Sequence, residues 1–348
     1  MHAVAAISQS ALAHNLSIVR KYAPQAKIVS MVKANAYGHH LELAKPLFTA
    51  DILAVSELSE VQKLRELTQK PILLLSGIFS ENDLHEAIQL NCQIVVHDIT
   101  QLEHLNNCKS PNKVWIKVDT GMYRLGLSNV QLQQSLSQLQ NNSNIHIECI
   151  MSHFACADEP EHIKNTQQLK YFNQLNTQEF PQSMANSAAI LSLRESHFDF
   201  VRPGIMLYGV SPFASINQQL LPAMELSAPI LSLKSVKAGE SVGYGATWQA
   251  NKDTTIATIG IGYGDGYPRH AKNGTPVLIN NTLCSLAGRV SMDLICVDVG
   301  KINAQVGDRA ILWGNDKLRV ETIAAYSDTI GYELLTGVSA RVTFTQHA

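Results

Sequence analysis

Short apolar runs recur along the first two thirds of the chain, at Lys27 to Val32, Ile52 to Val55, Pro71 to Leu75, Gln93 to Val96, Val114 to Val118, His146 to Met151, Ser183 to Asn186 and Phe198 to Arg202. Runs of this length, bounded by polar segments, read as buried strands. Between most of them apolar residues recur with helical period, as in Leu58 to Thr68, Glu81 to Leu90 and Val130 to Leu139. Ser8 to Ala23 reads as a further helix entered through a Ser cap. Eight βα units in series predict an N-terminal (β/α)8 TIM barrel. Its last two strands rest on runs that are short and broken by polar residues.

After about residue 220 the pattern changes. Val242 to Gly245, Thr255 to Ile259, Thr275 to Ile279, Leu294 to Val297 and Ala310 to Trp313 are short runs separated by Gly, Asn and Asp turns. They predict a C-terminal, mostly β domain with one short helix at Arg319 to Ala325. The expected division is a barrel at 8–222 and a β domain at 223–348, which residues 1–7 can join.

Composition narrows the class. With 45% hydrophobic and 16% charged residues, the 348-residue chain suits a soluble globular protein with a large core. A formal net charge of -2 and the lack of a basic run argue against nucleic acid or an anionic membrane as partner. Six cysteines are scattered without a CxxC pair, so neither a metal site nor a disulfide framework is expected. Met1 to Ile7 lack a basic stretch and a long apolar core, and no segment is long and apolar enough to span a bilayer. A cytoplasmic protein is the expectation.

Barrels of this type build their active sites at the C-terminal ends of the strands. Strand one ends in Lys33, with Tyr37 just beyond. An isolated lysine there is ordinarily a surface residue. Here it follows the apolar run Ile28 to Val32, where an ammonium loses hydration. Such a lysine is useful as an imine or as a base. Strand five gives Lys117 to Gly126, strand six Ser152-His153-Phe154, strand seven Asn186-Ser187-Ala188 and strand eight Arg202-Pro203-Gly204-Ile205. The loops after strands seven and eight form the phosphate position of many barrels. Ser187 offers a hydroxyl, and Gly204 lets its own amide and that of Ile205 come close to a ligand. Singly, these read as a helix cap and a loop glycine. Beside a strand-end lysine they suggest pyridoxal phosphate, with a Schiff-base aldolase as the competing reading.

Eight motifs go further: Val32 to His40 (VKANAYGHH), Lys117 to Gly126 (KVDTGMYRLG), His153 to Glu159 (HFACADE), Arg202 to Gly209 (RPGIMLYG), Val242 to Ala246 (VGYGA), Gly260 to Arg269 (GIGYGDGYPR), Gly288 to Asp293 (GRVSMD) and Gly331 to Val342 (GYELLTGVSARV). On these the chain resembles the alanine racemases, fold-type-III pyridoxal-phosphate enzymes, over nearly its whole length. The resemblance implies that Lys33 carries pyridoxal 5'-phosphate through an imine and that Tyr37, Ser187, Gly204, Ile205 and Tyr332 hold its phosphate. It implies that Arg202 faces the pyridine nitrogen with His153 in support, and that Arg124 contacts the ring hydroxyl or the substrate carboxylate. Tyr263 is implied as a second base, contributed by the other subunit of a homodimer with shared sites, with Met292 and Asp293 lining the substrate side. Lys117 matches a lysine that is carbamylated in some relatives. His40 stands where the family often has glycine, and Tyr123 where it commonly has Gly or His.

The chemistry expected from the resemblance is interconversion of L- and D-alanine by two bases on opposite faces of Cα. It would supply D-alanine for peptidoglycan or L-alanine for catabolism. Arg202 releases no proton at working pH, so it leaves the pyridine nitrogen unprotonated and the ring a weaker electron sink. Decarboxylases of this fold place an acid there, which argues against that class. A serine or broad-specificity racemase is the alternative. A pyridoxal-phosphate carrier protein is a single barrel, which the β domain and Tyr263 oppose.

Overall fold

Eight parallel strands close into a barrel in the computed structural model, which describes residues 2–106, 108–175 and 177–347. The strands are Lys27–Met31, Ile52–Val55, Ile72–Leu74, Cys92–Val96, Asn112–Lys117, Ile145–Met151, Gln182–Ser183 and Phe200–Val201. The eighth pairs back onto the first through Lys27 with Phe200 and Ile28 with Val201. Each predicted strand is present. The last two are only two residues long, and beyond them Arg202 N still donates to Ala185 O while the Arg202 side chain donates to Ser183 Oγ. Inside the barrel Trp115 is fully buried, and its indole N–H donates to Gln93 Oε1 at 2.6 Å, so the one polar atom of a large apolar ring is satisfied.

Helices Leu58–Leu67, Glu81–Gln89, Gln101–Asn106, Asn129–Gln140 and Ile163–Asn173 line the outside between strands. Ser80 and Ser128 cap two of them with side-chain oxygens that accept from Asp83 N and Gln131 N. The ring is completed from the wrong end of the sequence. Helix Gln9–Tyr22, capped by Ser8, precedes the first strand yet docks beside the short helical turn Ile205–Tyr208 that follows the last. Its buried Asn15 donates to Leu207 O and Leu221 O and accepts from Leu221 N.

The second unit is a β structure built on one long strand, Met224–Val236. This strand pairs with both Arg309–Trp313 and Thr254–Ile259, and Ile295–Asp298, Thr282–Leu286 and Pro276–Ile279 close the ring of six. Val4–Ser8 adds to the other part of the long strand, and Thr343–His347 adds to Val4–Ser8. The expected strand at Val242 to Gly245 is a correction. Only Ser241–Val242 is extended, paired with Trp248–Gln249, and Tyr244–Ala246 is a helical turn. The cause is local: Gly243, Gly245 and Ala246 all have positive φ, which a strand does not admit. The expected helix at Arg319 to Ala325 runs from Val320 to Tyr326, and a second helix follows at Gly331–Thr336. No helix among the described residues is long and apolar enough to cross a membrane.

Candidate active site

The first barrel strand ends in an abrupt change of hand. Val32 N still donates to Ala54 O, which continues the strand, but Ala34, Asn35, Ala36 and Tyr37 all have φ between 51 and 57°. They form a left-handed helical turn closed by Gly38 at φ 79°. Left-handed backbone costs L-residues about 1–2 kcal/mol each, or about 4–8 kcal/mol for the four. The turn is held from several sides. Ala36 N donates to Val32 O, Gly38 N to Ala34 O and His40 N to Asn35 O. Asn35 Oδ1 accepts from Leu41 N, and Glu60 Oε1 accepts from Ala34 N at 2.6 Å and Asn35 N at 3.4 Å. Leu335, on the last helix, presses its carbonyl so close that a Cβ on Gly38 would lie 2.1 Å from it. His40 and Tyr123, the two positions that depart from the family pattern, both have positive φ, where glycine is the easier occupant. His40 stacks on Phe344 at 4.0 Å, and Tyr123 is exposed.

Four cationic side chains act on one another at the barrel mouth. Lys33, half-buried at the start of the turn, has its amine held below the ordinary lysine range by burial and then by Arg124, with Glu60 opposing. Lys117, at the end of strand five, is pushed down to about 8 by burial, then by Arg202, Arg124 and Lys33, against Asp119. His153, just past strand six, is held well below 6.5 by burial and then by Arg202, Lys117, Arg124 and Lys33, so it is neutral at pH 7. Arg202 Nη2 lies 3.2 Å from His153 Nδ1. A guanidinium only donates, so Nδ1 accepts and the imidazole proton sits on Nε2. Arg202 also donates to Ser183 Oγ, Ser152 O and Met184 O. Burial lowers its pKa to about 10, and it remains charged at neutral pH. Asp119 opposes this charge at Lys117. Its Oδ1 is taken up by the amides of Gly121, Met122 and Tyr123, which shape the loop that carries Arg124. The mouth is therefore a receptor for anions.

Beside it lies a small cradle. Ser187 Oγ accepts from Gly204 N at 2.8 Å and from Met206 N at 3.4 Å. A Cβ on Gly204 would come within 2.5 Å of Tyr37 Oη. Tyr37 thus reaches the Ser187 and Ile205 backbone region only because residue 204 has no side chain. The Tyr37 ring stacks on Tyr208 at 4.7 Å and lies 6.2 Å from Tyr332. Burial raises the hydroxyls of Tyr37 and Tyr332, that of Tyr332 to about 12, so both keep the proton they can donate. Tyr332 belongs to helix Gly331–Thr336, which carries a side chain of the β unit to the barrel of its own chain.

Tyr263, Met292 and Asp293 sit elsewhere, on the β unit. Tyr263 is 41% and Met292 53% exposed. Their loops are laced together: Tyr263 N donates to Ser291 O and Gly264 N to Met292 O. Arg341 ties the group down, with Nη2 2.6 Å from Asp293 Oδ1 and Nε 3.3 Å from Asp265 Oδ1. Among the described residues, no hydrogen bond, ion pair or ring contact joins this group to Lys33, Arg202 or His153. One chain gathers Lys33, Tyr37, Lys117, Arg124, His153, Ser187, Arg202, Gly204, Ile205 and Tyr332 around the mouth and leaves the other three apart. Sequence reasoning missed Glu60, Tyr208 and Arg341. The spacing of Glu57 and Glu60 signals a helix cap, and Tyr208 and Arg341 lie inside the quoted motifs, but their partners are distant in sequence.

Two family models match in series, "Alanine racemase, N-terminal domain" over residues 7–212 and "Alanine racemase, C-terminal domain" over 223–346. The chain is 63% identical to an alanine racemase of Vesicomyosocius okutanii over 345 residues, covering 99% of this chain and 98% of that one. It is 44% identical to that of Vibrio cholerae over 355 residues, covering 99% and 98%. Among solved structures, the biosynthetic alanine racemase of Pseudomonas aeruginosa superposes with a TM-score of 0.96 at 42% identity, over 100% of this chain and 99% of that one. That of Bartonella henselae, with covalently bound pyridoxal phosphate, gives 0.92 at 29% identity over 100% of both.

Proposed function

The chain belongs to the alanine racemase family, pyridoxal-phosphate-dependent isomerases that interconvert L- and D-alanine, and from that premise we propose how its own residues perform the reaction. The observation that carries the reading is the convergence of Lys33, Lys117, Arg124, Arg202 and neutral His153 at one barrel mouth, next to the Tyr37–Ser187–Gly204 cradle.

These residues fit pyridoxal 5'-phosphate. Tyr37 Oη stands against Gly204, and Ser187 Oγ accepts from the Gly204 amide, so the hydroxyls of Tyr37, Ser187 and Tyr332 and the amides of Gly204 and Ile205 are the groups that would hold the phosphate. When bound, the cofactor acidifies the Cα–H of the amino acid joined to it. Lys33 is the residue that would hold the cofactor covalently, and whenever its Nζ is a free amine the lowered pKa would let it accept a proton from one face of Cα and return it. Arg202 would face the ring nitrogen as a donor that keeps its proton, and His153 accepts from the guanidinium through Nδ1. Arg124 takes the substrate carboxylate.

The second base is Tyr263 of the partner subunit, with Met292 and Asp293 from the same loops lining the opposite face. Their exposure in the single chain, apart from Lys33, supports a homodimer with shared sites. The neutral fraction of Lys117 can attack CO2. A carbamate and a proton result, and the anion offsets Arg124 and Arg202. The barrel at 8–222, the β domain at 223–348, a cytoplasmic location and D-alanine supply for cell wall or L-alanine for catabolism belong to the same reading. Nothing in the site favours serine or a wider substrate set.

The test is interconversion of L- and D-alanine with and without added pyridoxal phosphate, followed by borohydride trapping and peptide mapping. Cofactor-dependent turnover with the label on Lys33 is expected. A label on another lysine contradicts the assignment.

A further inference from the structure

We infer that Glu60 is a positioning residue for Lys33: its carboxylate clamps the left-handed turn that follows the lysine and so fixes where the amine sits. The inference rests on the reading of Lys33 as the cofactor-bearing residue. Glu60 is the third residue of helix Leu58–Leu67, where a glutamate ordinarily does no more than close a capping box. Here its two oxygens are divided. Oε2 closes the box, accepting from Ser56 N at 2.9 Å and Glu57 N at 3.2 Å. Oε1 is turned to a different element and accepts from Ala34 N and Asn35 N. These are the first two of the four left-handed residues and the amides directly after Lys33. Hydrogen bonds to an ionised carboxylate are the stronger kind. Non-glycine residues persist in this region of backbone space only where their surroundings hold them. The remaining ties run within the turn, to Leu41, through the contact of Gly38 with Leu335, or at its far end through Tyr37, which stacks on Tyr208 and meets His39 Nδ1 at its carbonyl. Among the described residues, Glu60 is thus the one acidic side chain that hydrogen-bonds the turn at its Lys33 end. It also places a negative charge near Lys33, opposite in effect to Arg124.

The experiment is residue-resolved hydrogen exchange on the full-length protein, with and without added pyridoxal phosphate, in Glu60→Ala, Glu60→Gln and Glu57→Ala variants. Lys33 labelling by borohydride after cofactor addition is timed in parallel. Glu60→Ala should speed exchange at Ala34 and Asn35 about tenfold to a hundredfold while helix Asn129–Gln140 exchanges as in the parent. It should also slow Lys33 labelling about tenfold or more. Glu60→Gln, which keeps an acceptor and loses the charge, should fall between. Glu57→Ala, which removes the other capping side chain of the helix, should leave Ala34 and Asn35 unchanged. Unchanged exchange at Ala34 and Asn35 in Glu60→Ala overturns the inference. An equal acceleration in Glu57→Ala overturns it too, since it reduces Glu60 to a helix cap. If Glu60→Ala does not fold, the comparison of Glu60→Gln with Glu57→Ala decides in the same way. A borohydride label away from Lys33 in the parent protein defeats the underlying reading instead, whatever the exchange data show.

Discussion

The barrel mouth and the Tyr263 loops, the two halves of the proposed site, are built in opposite ways. At the mouth, Arg202 is 4% exposed and His153 is neutral, and the positive charges of Lys33, Lys117, Arg124 and Arg202 go largely unmatched. On the β unit, Tyr263 and Met292 are open to solvent and the one nearby cation of the group is paired, since Arg341 bridges both Asp265 and Asp293. The first region is prepared to receive an anion. The second is tied together by hydrogen bonds and ion pairs and leaves Tyr263 and Met292 exposed, a surface able to be covered. If the proposed sharing holds, the difference teaches that an active site can be divided by electrostatics as well as by chain: one subunit would supply the positive field and the other an uncharged tyrosine.

Substitutions sharpen this comparison, beginning with the largest effect. Lys33→Ala removes both the cofactor bond and one base, and should cut turnover about 10⁴-fold or more in both directions in a racemisation assay. Tyr263→Phe should cost about 10²- to 10⁴-fold, and more for one enantiomer than for the other when each direction is followed separately. Small and equal losses would place the second base elsewhere. Gly204→Ala puts a methyl 2.5 Å from Tyr37 Oη and should weaken cofactor retention about tenfold to a hundredfold, measured by equilibrium dialysis, with little change in the β unit.

The smallest effect is a pH dependence. Buried His39 is lowered to about 4, first by desolvation, while its Nδ1 lies 3.0 Å from Tyr37 O. The unfolded chain binds this proton near 6.5 and the folded chain does not, so stability falls as pH drops from 6.5 towards 4. Between pH 7 and 5 the parent should lose about 2 kcal/mol more than His39→Gln in denaturant unfolding. Parallel losses in the two proteins would show that His39 is protonated without cost.

The barrel was legible because its strands are uninterrupted apolar runs buried on both faces, as at Ile52–Val55 and Cys92–Val96. The long strand Met224–Val236 was not. It is buried along its first half and exposed along its second, and it contains Pro229, so it carries no single period. Residues 1–7 were expected to be able to join the β domain, but the strand Val4–Ser8 and its register were not legible, since its partners lie more than 200 residues away. Within the site, residue types at strand ends pointed to Lys33, His153 and Arg202. The left-handed turn could not be read from Ala34-Asn35-Ala36-Tyr37, because these residues do not favour it. Glu60 and Leu335 impose it from outside. Long-range clamps of this kind are what a local pattern leaves out.

The central claim is that Lys33 and Tyr263 meet across two subunits. The direct measurement mixes inactive Lys33→Ala and Tyr263→Phe proteins under conditions that allow subunits to exchange, and follows D-alanine formation from L-alanine. Each mixed dimer then holds one intact site, and about a quarter of the parent activity should return when the two are mixed equally. Activity that stays at the level of the separate variants, although mass spectrometry shows mixed dimers, would contradict the shared site and return Tyr263 to a purely structural role.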